Sequence, residues 1–192
     1  MRIYIVLTYT GTALAKLIKC YTKAEFSHVS IALDEELNRM YSFGRLTPYN
    51  PFVAGMLHEK IDEGTFKRFK KTKASVYSLN ISMEQYKKIE ENIMYMYSNK
   101  EKYNFNFSGL FAAGFNKKVS KANTFYCAEF VKYLLDNAKV DLNLPEVVKP
   151  EDFKVVEKLK LIYKGKLKKY TTKHKYTLQD IIRVAQQKKA TM

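Results

Sequence analysis

The chain contains no tryptophan, and only two cysteines, four prolines and seven glycines among 192 residues. Two cysteines, Cys20 and Cys127, make a poor disulfide scaffold for a chain of this length, so both read as free thiols in a reducing compartment. With so little proline and glycine, no linker, low-complexity segment or internal repeat stands out, and the length argues for one domain with a tail. Long hydrophobic runs are missing, which excludes a membrane-spanning helix. The apolar stretch at residues 3–7, with Ala13-Leu14-Ala15 behind it, is too short for a signal peptide, and Thr8-Tyr9-Thr10-Gly11-Thr12 is too polar. It reads instead as a buried first strand of a cytoplasmic protein. The three histidines and two cysteines fall at 20, 28, 58, 127 and 174, with no pair at metal-ligand spacing, so neither a metal nor a cofactor is expected. No phosphate loop, dinucleotide fingerprint or Gly-x-Ser-x-Gly elbow is present.

Arginine is also scarce, at 2, 39, 45, 68 and 183 only, although the net charge is +15. The excess is lysine. Forked arginines dominate specific reading of phosphates and bases, and no helix-turn-helix pattern with such readout residues occurs, so specific nucleic-acid recognition is not expected. Between Lys154 and Lys175 nine lysines face a single acid, Glu157. That stretch is either a solvated face of a strand or a contact for an anionic partner such as lipid, glycan or nucleic acid. What the chain does have is 46% hydrophobic residues and 14% aromatic ones, with 15 tyrosines and 12 phenylalanines, enough for a sizeable core.

Patterning outlines an α+β domain at 1–175 followed by a basic helix at 176–192. Residues 2–9 and 27–33 read as strands, and 39–43 as the hairpin partner of the latter. Residues 12–21 read as a short helix, 44–64 as irregular, 66–69 and 74–79 as strands. Ser82-Met83-Glu84-Gln85 matches a capping box and opens a helix with Tyr86, Ile89, Ile93 and Met96 on one face. Residues 104–115 read as a second, buried helix. Asn123-Thr124 reads as the cap of a helix whose apolar face is Cys127, Phe130, Val131, Leu134 and Leu135. Residues 159–163 and 166–170 flank Lys164-Gly165 as a strand or hairpin. The picture is a small antiparallel sheet with helices packed on it.

Two residues carry the chemistry. Cys127 falls in the first turn of its helix, where free N–H groups and the helix dipole favour a thiolate and can receive an oxyanion. It is otherwise a small buried hydrophobe. His28 heads one face of a strand with Ser30 and Ala32, a small-residue face suited to receive a helix end, opposite the apolar Val29, Ile31 and Leu33. An imidazole there can take a thiol proton, or hold it as an ion pair, and return it to a leaving group.

Phe26-Ser27-His28-Val29-Ser30-Ile31-Ala32-Leu33, the turn after it, and Met40-Tyr41-Ser42-Phe43-Gly44 resemble the strand–turn–strand of the permuted papain-like families. These include the YiiX-like proteins and the lecithin–retinol acyltransferase group, relatives of the NlpC-type cell-wall peptidases. Phe125-Tyr126-Cys127-Ala128-Glu129-Phe130-Val131 resembles their cysteine helix, and the histidine precedes the cysteine, as in the permuted order. The resemblance spans residues 1–170. It implies a circularly permuted papain-like fold and hydrolysis or acyl transfer at an amide, ester or thioester through an acyl-enzyme. Cys127 is then the nucleophile and His28 the base. The resemblance does not supply the substrate; a small molecule, a peptide such as a cell-wall peptide, or a lipid is expected, with the protein a monomer. The families orient the histidine with a polar residue on the following strand. An ungapped reading puts Ser42 there, with Tyr41, Glu59 or His58 taking the place if the register across the turn differs. Tyr126 and Tyr41 are candidates to line a substrate site. A catalytically weak member of the same fold, binding an anionic partner through its lysines, is the alternative.

Overall fold

A computed structural model describes residues 1–12, 15–16 and 24–170. The helices expected at 12–21 and 176–192 therefore lie outside the described residues, apart from 12 and 15–16, as do Cys20 and His174.

Six strands form one antiparallel sheet in the order β4-β3-β2-β1-β5-β8. They are β1 (Arg2–Tyr9), β2 (His28–Ala32), β3 (Met40–Arg45), β4 (Ala54–Glu59), β5 (Lys73–Asn80) and β8 (Lys160–Lys166). β1 lies near the middle, pairing with β2 from Tyr4↔Ala32 to Thr8↔His28 and with β5 along its whole length. Its unbroken apolar run is what a strand buried on both faces requires. Ile3, Ile5 and Leu7 enter the main core, and Tyr4 and Val6 enter a second, smaller one on the opposite face.

The main core is closed by two helices, α2 (Met83–Ser98) and α4 (Cys127–Asn137). α2 starts at the expected capping box: the Gln85 N–H donates to Ser82 Oγ and the Ser82 N–H to Gln85 Oε1, both at 3.0 Å. Its Tyr86, Ile89, Ile93 and Met96 are buried. α4 sets Phe130, Val131, Leu134 and Leu135 against Val29, Ile31 and Phe43 of the sheet. Each such side chain removed from water contributes about 1.5–3 kcal/mol, which fixes the position of the helix and of the cysteine at its head. The second core, built on Ala32, Met40, Ile61 and Phe66, covers the other face.

Four elements differ from the pattern reading. Residues 66–69 belong to a short helix, α1 (Gly64–Arg68), not a strand. Residues 44–64 hold β4, an edge strand hidden in sequence by Pro48 and Pro51 just before it and by Gly55 within it. The 104–115 stretch divides into a two-residue strand β6 (Asn104–Phe105) and α3 (Phe107–Ala113), and only part of it is buried. Residues 160–166 form the single strand β8, followed by a helical turn α5 (Leu167–Tyr170) rather than a second strand. The fold as a whole is mixed α and β with an antiparallel main sheet, as expected.

Candidate active site

The site forms where the start of β2 meets the start of α4. Asn123-Thr124, expected to cap α4, does not do so: Thr124 and Phe125 form the short strand β7 (Thr124–Phe125), which pairs with β6. The N-cap is Tyr126, in extended conformation and with no side-chain cap hydrogen bond. A phenol cannot fold back to cap as a serine or aspartate does. The only side chain at the helix head is Glu129, whose carboxylate accepts the N–H of Tyr126 itself at 3.1 Å. Burial raises the Glu129 pKa, against the opposing hydrogen bonds from the Tyr126 N–H and the Asn106 amide. The first-turn N–H groups around Cys127 are thus left without an N-cap side chain, which is the arrangement an oxyanion site needs.

Asn106 was not singled out in sequence, and it braces this corner. It is buried; its Nδ2 donates to Val119 O at 2.8 Å and to Glu129 Oε2 at 3.2 Å, and its Oδ1 accepts from the Gly109 N–H at 2.8 Å. It therefore caps α3 and fixes the Glu129 carboxylate at the same time.

Cys127 and His28 stand close enough for the sulfur to help raise the pKa of the ring. The opposing partner is Glu59. His28 Nε2 lies 3.1 Å from Glu59 Oε1 and 3.3 Å from Ser30 Oγ, and Ser30 Oγ donates to Glu59 Oε2 in a short hydrogen bond. The Met40↔Glu59 register places Glu59 on the face of the sheet shared by Ser42, Ser30 and His28. Burial disfavours the charged ring, but the Glu59 carboxylate and then the Cys127 sulfur outweigh it, and the His28 pKa is pushed up to about 10. Glu59 moves the opposite way. Burial alone would raise its pKa, but the His28 charge and the hydrogen bonds of His28 and Ser30 hold it below the usual carboxylate range. The pair is therefore imidazolium with carboxylate at neutral pH.

Ser42, expected to orient the ring, is fully buried beside this pair, and its Oγ has no partner at good hydrogen-bond geometry. Tyr41 is buried in the main core, stacked on His58 with ring centroids 4.9 Å apart. Tyr126 is buried with its hydroxyl donating to Val148 O at 2.8 Å, and burial drives its pKa well above the ordinary tyrosine value. Both rings are thus held in packing. His58 Nε2 donates to the Asn38 carbonyl at 2.6 Å.

One expectation about the faces also changes. The helix carrying Cys127 packs on the Val29 and Ile31 face, not on the His28 face. His28 is the first residue of its strand, at the end of the sheet nearest the start of α4 in the site. Access is narrow: Cys127 is only 3% exposed, and the His28 side chain 20%.

Gly44 makes room for the ring. A Cβ at this position would stand 3.2 Å from His28 Cε1 and 3.5 Å from Ser42 Oγ. Gly44→Ala is expected to displace the imidazole and lower the reactivity of Cys127 toward iodoacetamide, at a stability cost of roughly 1–3 kcal/mol. Alkylation rate and thermal denaturation, measured on the same variant, check both halves.

No protein-family model matches the chain, and no curated protein matches it. A solved structure does. The fold is YiiX-like. The chain matches the crystal structure of the metalloprotein yiiX from Escherichia coli O157:H7 with a TM-score of 0.50 at 18% identity, over 84% of this chain and 96% of that one. The metal belongs to the description of that protein. Among the described residues here, no group of three or more His, Cys, Asp or Glu side chains is arranged to hold a metal ion. Among the described residues, no helix is long and apolar enough to cross a membrane.

Proposed function

We propose that the chain is a cysteine-nucleophile hydrolase or acyltransferase of the permuted papain-like kind, acting on an amide, ester or thioester. The observation that carries this is the nearness of Cys127, at a helix N-terminus with no N-cap side chain, to an imidazole held by a buried carboxylate.

In this reading His28 is charged at rest, and Cys127 reacts as its thiolate, the form that a neighbouring cation and a helix N-terminus favour. The sulfur attacks the carbonyl carbon of the substrate, and the first-turn N–H groups of α4 hold the oxyanion as it forms. His28, charged at neutral pH, donates its proton to the departing amine, alcohol or thiol as the tetrahedral intermediate collapses to a thioester on Cys127. The neutral ring then takes a proton from water or from an acceptor nucleophile, which attacks the thioester and releases Cys127. Glu59, with Ser30, holds the ring in orientation and favours its charged form. The carboxylate takes the role first assigned to Ser42.

A short activated ester such as p-nitrophenyl acetate tests the reading. The expected result is an acetyl thioester on Cys127, seen by intact-mass and peptide mass spectrometry, absent in Cys127→Ser. Acetylation confined to other residues, or identical p-nitrophenol release by wild type and Cys127→Ser, would contradict it.

The alternative, a binding module using Lys154–Lys175, has weaker support. Lys154 pairs with Glu25 at 2.9 Å and Glu151 at 3.0 Å, and Lys164 pairs with Glu25 at 3.1 Å. These lysines tie the end of the chain to the segment before β2, a structural use of their charge.

A further inference from the structure

The hairpin tip between β3 and β4 and the helix α3 expose a group of large apolar side chains. Tyr49 and Phe52 are each 78% exposed, Phe111 47%, and Leu46 and Phe115 are exposed as well. They are not scattered. Phe52 and Phe107 lie with ring centroids 6.3 Å apart, Phe107 and Phe105 4.6 Å apart, and Phe111 follows Phe107 by one turn of α3. A contiguous exposed apolar surface of this kind marks a contact site.

The chain segments that carry it have charge of one sign. Neither residues 44–58 nor residues 102–128 contain a single aspartate or glutamate. They contain Arg45, Lys117, Lys118 and Lys121, and Arg68 lies over the Tyr49 ring at 4.2 Å. Lys117 is tied to α3 by its N–H to Ala112 O at 3.0 Å, and the chain after it by the Asn106 bond to Val119 O at 2.8 Å. Lys118 pairs with Glu146, which leaves Lys117 and Lys121 as the exposed cations beside the aromatic rings.

We propose that this face docks the protein on an anionic phospholipid bilayer, with Tyr49, Phe52 and Phe111 entering the headgroup boundary and Lys117 and Lys121 meeting lipid phosphates. Aromatic insertion joined to a cationic rim is the pairing of forces that holds a protein at such a surface. A second copy of the chain does not fit, because a two-fold contact would set these cations against themselves. Lysine is also depleted at protein–protein interfaces, whereas a fluid anionic surface accepts flexible point charges. The face adjoins the candidate site: Leu46 lies two residues beyond Gly44, and Phe105 is in register with Phe125, two residues before Cys127.

Co-sedimentation of the full chain with vesicles of phosphatidylcholine and phosphatidylglycerol in equal parts tests this. Wild type is expected to bind, less as salt is raised, and not to bind pure phosphatidylcholine. Phe52→Ser with Phe111→Ser is expected to weaken binding roughly tenfold or more, with an unchanged thermal melt because both side chains are exposed. Lys117→Glu with Lys121→Glu is expected to weaken it similarly. Cys127→Ser is expected to bind as wild type does, so the result stands apart from the proposed catalysis. Failure of wild type to bind, or equal binding by the Phe52→Ser, Phe111→Ser variant, would overturn the proposal. So would self-association of wild type that this variant abolishes, which would assign the face to a second copy.

Discussion

Replacing His28 by alanine is expected to slow alkylation of Cys127 by iodoacetamide at pH 7 by roughly a hundredfold or more, the scale of a positioned acid–base partner. Only a thiolate reacts. In the wild type the ring next to the sulfur stays charged until about pH 10, because Glu59 holds it so. With alanine, the charge opposite the sulfur is gone, and only the helix end remains to favour the anion. Cys127 is also nearly enclosed, so a merely exposed thiol cannot account for fast labelling. The expected rates are fast for Cys127 in the wild type, slow in His28→Ala, and unchanged for Cys20 in both. Peptide mass spectrometry after timed alkylation reads all four. Equal Cys127 rates in the two proteins would remove the proposed chemistry.

Glu59→Gln is expected to have the second largest effect, on both stability and reactivity. Glutamine keeps the shape and can still hydrogen-bond, but it cannot hold a charged ring. Breaking a buried pair in this way costs about 3 kcal/mol at its full value, and the cost has a pH window. The His28 pKa is raised from 6.5 to about 10, so its contribution is complete below pH 6.5 and is lost as pH rises through about 10. The Glu59 pKa is lowered from 4.5, so its contribution is complete above pH 4.5 and is lost as pH falls through the lowered value. The difference in stability between wild type and Glu59→Gln is therefore expected to be greatest between pH 4.5 and 6.5 and to shrink steadily toward pH 10. Urea denaturation across that range checks it. A difference independent of pH would mean that Glu59 acts through packing alone.

The parts of this site that were legible in sequence were those set by local pattern. Alternation showed which residues of β2 share a face with His28, and helical spacing placed Cys127 at the head of an apolar stripe. The capping box at Ser82 was readable because both its partners lie within three residues. What was hidden depended on partners distant in sequence. Glu59 stood only among alternatives, because the strand carrying it was read as irregular. Pro48 and Pro51 precede β4, Gly55 interrupts it, and its pairing with β3 comes from the register Met40↔Glu59 to Arg45↔Ala54, which no local rule supplies. Once β4 is in place, Glu59 falls on the face of Ser42 and Ser30 without further assumption. The choice of face for α4 was misjudged for a related reason. The small residues beside His28 looked suited to receive a helix, but they are covered by Ile61 and Phe66 from the segments after β4, whose packing was equally invisible. Asn106 gave no signal at all, since its two roles join α3 to α4 through a carboxylate 23 residues away.

The most direct test is a nitrogen NMR titration of the His28 ring in the intact protein. A charged imidazole held between Cys127 and Glu59 predicts both ring nitrogens protonated at neutral pH, with a midpoint near 10 in the wild type that falls in Glu59→Gln and in Cys127→Ser. A midpoint close to the ordinary histidine value of 6.5, unmoved by either substitution, would contradict the account.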